Sequence, residues 1–409
     1  MTGIDRRRWI RFCDEHGPDF ASTVHIPGLV TDPVVLESGL RDALRSATTR
    51  VGEEDRTEPR IRVYSGHRLD YPAAERLTHS GFDGTDLHRW FDTVCPDDMC
   101  LAFNEIDTWS PDLADLLTGD IAEPMADTIG DPRAGIEWYS FIARSGWTPF
   151  GLHSDPESSM IFHLGPAPKE VWIWEQDVLR ELADGRRITF DFEPHLPAAR
   201  HVVLQPGDFL SIPAFHFHIF RNTGFAAFLG LTIFPQDIRQ ELANLVLHLA
   251  PRPPSGHHQP DAARAAIGDA ATALTSDPLL ADRVTTLLDA QQARLRSTGW
   301  SKPLARPVTP TAADAVAGTR FLVTRRPVVL GRDGNRPVLH GGGRTIKLPH
   351  GTAPDRLRDA LPPGESVTGD TLLAALQAAL ADTSTDPRHL VRALETCGVV
   401  RATTRDAAS

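Results

Sequence analysis

The spacing of apolar residues changes character along the chain, and the changes divide it. Over residues 1–125 helical and extended patterns alternate. Asp32-Pro33 opens a helical pattern with an acidic cap and proline at the first helical position, and Ser110-Pro111 opens another in the same way. A further helix is expected over residues 86–93. Short strands are expected over 24–30, where Pro27-Gly28 breaks the run, and over 60–64 and 100–104. From Ile136 the pattern turns extended. Residues 137–143, 158–164, 171–174, 187–192, 201–204, 209–212 and 225–234 are short apolar runs separated by turns, a density that predicts a sandwich or barrel.

After Pro235 the character shifts again. Residues 237–249 have helical spacing, and the Pro- and His-rich stretch 250–260 reads as a linker. Residues 261–297 predict two helices interrupted near Ser276-Asp277-Pro278, which pack on this chain or form the seam of a homodimer. In the last hundred residues, strands are expected over 321–323, 327–330 and 338–340. Helices follow over 369–380 and 387–397, the latter capped by Gly398. The resulting divisions are a flanking α/β part (1–125), a β core (126–240), a linker with helices (241–310) and a terminal unit (311–409).

Composition adds bounds. A chain of 409 residues is long enough for two to three domains, each with its own core. No uncharged apolar run reaches membrane-spanning length, and the basic cluster near the N-terminus has no apolar stretch of a secretory signal behind it; a cytoplasmic protein is expected. The four cysteines have irregular spacing and suggest neither a disulfide framework nor a zinc site. Net charge is −12 and uneven: residues 1–250 carry 22 Lys+Arg against 39 Asp+Glu, and residues 251–409 carry 20 against 15. The acidic part would draw cationic substrates and disfavour nucleic acid.

The candidate chemistry lies in the β region. His153-Ser154-Asp155 ends a turn-rich loop, and residues two apart in extended backbone share a face. One imidazole nitrogen and one hard oxygen suit a first-row divalent metal with open positions. A second histidine is available at His216 or His218, in the stretch after Pro206-Gly207-Asp208 and Pro213. Lys169 opens the apolar run Val171-Trp172-Ile173-Trp174. On the inner face of a barrel it would be a costly buried charge unless an anion stood opposite; the alternative puts its ammonium in water at the strand mouth.

With these residues in place, residues 135–235 resemble a JmjC-type cupin hydroxylase, the Fe(II)- and 2-oxoglutarate-dependent oxygenases that include asparaginyl hydroxylases and ribosomal oxygenases. The resemblance implies a double-stranded β-helix (jelly roll) with flanking helices. It implies Fe(II) held by His153, Asp155 and His218, the last falling five residues after Pro213 as in many cupin strands. It further implies 2-oxoglutarate as cosubstrate, with Lys169 pairing its far carboxylate and Tyr139 and Thr148 supplying hydroxyls. The terminal unit resembles the winged helix of ribosomal oxygenases, for which contact with protein is expected at least as much as with nucleic acid.

The implied activity is hydroxylation of a side chain in a protein or peptide. The rivals are an oxygenase of small molecules or free amino acids, a metal cupin that does not use 2-oxoglutarate, and a non-catalytic scaffold. Among the remaining polar groups, His163 is expected to be packed in the core and Asp208 to bind turn amides. His257-His258 should be solvated, and His216 is either packed or near substrate. Trp172 and Trp174 either pack or stack on substrate.

Overall fold

The structure, a computed structural model, describes residues 3–49, 57–95, 99–183, 189–237, 276–306, 308–380 and 386–403, with residues 239, 249 and 272. Most of the helix expected over 237–249, the linker 250–260 with His257 and His258, and the first helix expected after it lie outside the described residues.

The first twelve strands are β1 Val24–Ile26, β2 Arg60–Ser65, β3 Arg68–Leu69, β4 Met99–Asn104, β5 Ile136–Ala143, β6 Gly146–Trp147, β7 Ser158–Pro166, β8 Lys169–Trp174, β9 Arg200–Leu204, β10 Phe209–Ile212, β11 Phe217–Asn222 and β12 Ala226–Ile233. They form two antiparallel sheets, one of eight strands in the order β1-β10-β7-β12-β5-β4-β2-β3 and one of four in the order β6-β11-β8-β9. The first four strands, from the N-terminal part, thus belong to the same sheet as β5, β7, β10 and β12.

Strand β5 shows how the larger sheet is placed. Its residues alternate buried and half-buried, as a period of two requires when the two faces meet different surroundings. Ile136, Trp138 and Ile142 join a core with Trp9, Phe12, Leu40 and Leu113, from the helices Arg6–His16, Pro33–Thr48 and Pro111–Leu117. The opposite face carries Tyr139 and Phe141 into a second core, which mixes Ile161, Leu210 and Phe228 of the larger sheet with Val171, Val202 and Phe220 of the smaller one. The two sheets therefore face each other across an apolar interior.

One expectation changes. Residues 189–192 are irregular rather than extended and lead into a 3-10 turn, Glu193–Ala198. The Thr189 carbonyl accepts from Leu152 N–H at 2.6 Å, and Phe192 is buried with Trp174 and Leu179. The alternating apolar pattern there serves to pin the loop before His153. Of the two alternatives for Trp172 and Trp174, packing holds: they cluster with Leu152, Leu179 and Phe192, away from the inter-sheet core.

The terminal unit has its own core around Phe321, Leu339, Leu372 and Leu394. Strands β13 Arg320–Val323, β14 Val329–Asp333, β15 Arg336–Gly341, β16 Arg344–Lys347, β17 Ser366–Thr368 and β18 Val400–Thr403 form two three-stranded sheets, with the helices Pro354–Asp359, Gly369–Ala379 and Pro387–Thr396. Buried charge ties this unit to the helix Pro111–Leu117. Asp115 accepts from Thr324 Oγ1 at 2.5 Å and from Arg326 Nε at 3.2 Å, and Arg326 also donates to the Gly398 carbonyl. Arg401 reaches Asp112 and Asp115, and Arg325 reaches Asp120. No helix among the described residues is long and apolar enough to cross a membrane.

Candidate metal centre

Backbone pairing brings the candidate ligands together. The segment from β6 to His153 runs antiparallel to β11: Trp147 pairs with Arg221, Thr148 N–H donates to the Phe220 carbonyl at 2.9 Å, and His153 bridges to His218. The chain turns into this bridge at Gly151, whose φ of +65° is left-handed. A Cβ there would collide with the Thr189 carbonyl, so glycine is required on both counts.

His153, Asp155 and His218 each offer one ligand atom, and these atoms lie within 4.8 Å of one another. Asp155 Oδ2 is 3.6 Å from His218 Nε2 and 4.0 Å from His153 Nε2. Octahedral ligands at about 2.1 Å from one ion stand about 3 Å apart across an edge, so a small contraction suffices. The histidines are also prepared chemically. His153 Nδ1 donates to the Gly151 carbonyl and His218 Nδ1 to the His216 carbonyl, each at 3.0 Å. That fixes the tautomer with the Nε2 lone pair free toward the common point. Burial, with His153 nearby, pulls the His218 pKa down to about 3, so its imidazole is neutral, the form that binds metal. Two imidazoles and one carboxylate on one side of an ion leave the other side open, a donor set that fits Fe(II).

The triad lines a cavity of about 580 Å³. Phe141, Phe150, Phe220 and Phe228 make its apolar wall. Tyr139 and Thr148 line it as well. The Tyr139 hydroxyl lies beside Ser159 and Thr232, and burial raises its pKa well above the usual phenol range. Room for the Tyr139 ring exists because Gly230 stands opposite on β12, where a Cβ would overlap the ring. Thr148 Oγ1 accepts from Phe220 N–H at 3.4 Å.

Lys169 is placed differently. It is 2 % exposed and absent from the cavity lining, standing instead against rings that do line it, 5.0 Å from the Phe228 centroid and 5.6 Å from that of Phe220. Its ammonium donates to Asn222 Oδ1, the cross-strand neighbour. No carboxylate among the described residues pairs with it, and burial pulls its pKa down to about 8. The alternative of a solvated ammonium at the strand mouth is thereby excluded.

The other polar groups sort themselves. His163 is buried with Nε2 bound to the Ala167 carbonyl, and burial pulls its pKa down to about 4. Asp208 accepts from the amides of Gly28 and Gln205 and meets His25 Nε2. His216 binds the Ala214 carbonyl and stays outside the triad. Sequence reasoning missed Arg62, Asn104, Glu137 and Glu157, which also line the cavity. The first two lie in the part expected only to flank the core, and nothing local in the sequence marks them, because they meet through sheet pairing.

No family model matches the chain, and no curated protein matches it. Solved structures do. An X-ray structure of Escherichia coli YcfD superposes with a TM-score of 0.54 at 15 % identity, covering 97 % of this chain and 98 % of that one. A structure described as YcfD, a ribosomal oxygenase from Escherichia coli, gives 0.50 at 15 % identity over 93 % and 94 %. At such identity the likeness speaks for fold, and it extends over the terminal unit as well as the β core. The chain therefore shares its fold with YcfD over nearly its whole length.

Proposed function

We propose that the chain is an Fe(II)- and 2-oxoglutarate-dependent oxygenase that hydroxylates a side chain of a protein, with ribosomal protein the favoured class. The observation that carries this is the His153, Asp155 and His218 constellation, with both Nδ1 atoms committed to carbonyls and one side open to the cavity. The same proposal takes the two facing sheets as a double-stranded β-helix and residues 311–409 as a winged helix that contacts protein. It gives residues 241–310 to contact between two copies, and it places the protein in the cytoplasm, where ribosomal proteins are made.

In the reaction one atom of O₂ enters the substrate C–H bond and the other enters succinate, as 2-oxoglutarate loses CO₂. The metal, when bound, supplies the site where O₂ and the keto acid meet. The chain's own part is to hold and exclude. Lys169 is the cation for the far carboxylate, standing behind the Phe220 and Phe228 rings of the cavity wall, and burial makes that charge-assisted contact strong once the carboxylate reaches it. Tyr139 and Thr148 add hydroxyls along the wall. The phenylalanine rings keep water from the reacting centre, so that oxidation falls on the substrate held there.

Support for a protein substrate comes from the YcfD likeness, which includes the terminal unit, and from charge. With 22 Lys+Arg against 39 Asp+Glu, residues 1–250 attract the basic segments typical of ribosomal proteins. Incubation with Fe(II), 2-oxoglutarate and a bacterial ribosomal-protein mixture tests this. Succinate should form, and one protein should gain the mass of one oxygen. Succinate without any mass gain, coupled instead to a free metabolite, would move the activity to small molecules. No succinate under any condition would refute the enzyme.

A further inference from the structure

We infer that Arg62 and Glu137 bind a main-chain amide of the polypeptide substrate, next to the residue that enters the cavity; this rests on the oxygenase function proposed above. The two side chains come from β2 and β5 and are joined by Asn104 of β4, which lies between those strands. Arg62 Nη2 donates to Asn104 Oδ1, and Asn104 Nδ2 donates to Glu137 Oε1, both at 3.1 Å. All three line the cavity that holds the triad.

The row continues away from the cavity. Arg60 Nη1 stands 3.6 Å from Glu137 Oε1 and also pairs with Glu105, which accepts from Lys302 Nζ at 2.5 Å. Glu105 has a φ of +56°, a left-handed conformation that costs a non-glycine residue on the order of 1 kcal/mol or more. Partners on several elements thus hold the Glu137 carboxylate in place.

The intervening carboxamide has a consequence. A direct Arg62–Glu137 ion pair would satisfy each group with the other. With Asn104 between them, Arg62 keeps N–H donors with no other partner among the described residues, and Glu137, whose Oε1 meets Asn104 and Arg60, keeps Oε2. A donor and an acceptor side by side, both facing the cavity, complement a peptide group. Its carbonyl accepts from Arg62, and its N–H donates to Glu137. Such a contact is indifferent to side-chain identity and fixes the register of the chain across the mouth.

The test uses the full chain with Fe(II), 2-oxoglutarate and a library of acetylated, amidated heptapeptides, each centred on a different residue. Succinate formation is read against peptide concentration. For the stimulating peptides, Arg62→Ala and Glu137→Gln should each raise the half-saturating concentration about tenfold or more. The Co(II) absorption spectrum of each variant should match that of wild type, showing an intact metal centre. N-methylation of the flanking amide should weaken the wild type as Glu137→Gln does and have no added effect in that variant. Unchanged half-saturation in both variants overturns the assignment alone. If free amino acids stimulate and the same variants lose them, the pair reads an ammonium and a carboxylate instead, and the assignment fails. If the wild type forms succinate but no peptide stimulates it, the protein-substrate proposal fails and this inference with it.

Discussion

His153 and His218 exchange both of their backbone hydrogen bonds, His218 N–H to the His153 carbonyl at 2.8 Å and His153 N–H to the His218 carbonyl at 3.2 Å. Their rings lie 4.4 Å apart between centroids. The spacing of the two ligands is therefore set by main chain and does not wait for a metal. Each imidazole is then locked by a carbonyl two residues earlier in its own chain, Gly151 for one and His216 for the other.

This makes Gly151 a test of the centre that leaves every ligand in place. A Cβ at this left-handed position meets the Thr189 carbonyl, so Gly151→Ala must shift the loop that bonds His153 Nδ1. Metal affinity should fall about 10- to 100-fold, as for losses of partners behind metal ligands, while far-UV circular dichroism stays as in wild type. Isothermal titration with Co(II) measures it. Wild-type affinity would show that the loop position does not matter.

Lys169 should trade stability for cosubstrate binding. The unfolded chain keeps the lysine proton up to about pH 10.5, but the folded chain keeps it only to about 8. Between those values the unfolded state binds more protons, so stability of the protein without cosubstrate rises with pH there. Below pH 8 the buried charge costs about 3 kcal/mol. Lys169→Met should accordingly raise the Tm at pH 7 and flatten the rise above pH 8. It should also weaken 2-oxoglutarate about 30- to 1000-fold, with metal affinity kept. Unchanged 2-oxoglutarate affinity would move the anchor elsewhere, with Tyr139 and Thr148 next in line.

Arg326 tests how firmly the terminal unit is joined to the rest. It is 1 % exposed, and its guanidinium meets Asp115, Thr324 and the Gly398 carbonyl. Arg326→Ala leaves Asp115 buried with fewer donors and should cost about 3–5 kcal/mol in chemical denaturation. Replacing Arg326 and Asp115 together with Met and Leu should recover most of that loss. A loss below about 1 kcal/mol in the single variant would mean that the junction opens to water.

What the sequence disclosed and what it hid follow one division. His153-x-Asp155 is a local pattern, and His218 was within reach through its spacing, five residues after Pro213 as in many cupin strands. Most strands of the β core were visible as apolar runs, and Asp208 as a turn former, but β6 and β11, the strand that carries His218, were not. Arg62, Asn104 and Glu137 were hidden, because each looks like an ordinary polar residue until β2, β4 and β5 pair. Residues 189–192 misled for the opposite reason. Phe190 and Phe192 alternate as in a strand, yet the backbone of Thr189 is used by Leu152 and the Phe192 ring by the cluster around Trp174. Lys169 was found from its place beside an apolar run. Its position against Phe220 and Phe228, off the cavity wall, was visible only in three dimensions.

The central claim is that His153, Asp155 and His218 hold a metal that 2-oxoglutarate chelates on its open side. Anaerobic titration of the full chain with Fe(II) and then 2-oxoglutarate tests it most directly, read as the weak visible charge-transfer absorption of the keto-acid chelate. The band should appear in the wild type and be absent in His153→Ala and Asp155→Ala, both still folded because the apolar inter-sheet core supplies the stability. A wild type that binds Fe(II) and shows no band, or an Asp155→Ala variant that keeps it, would contradict the account.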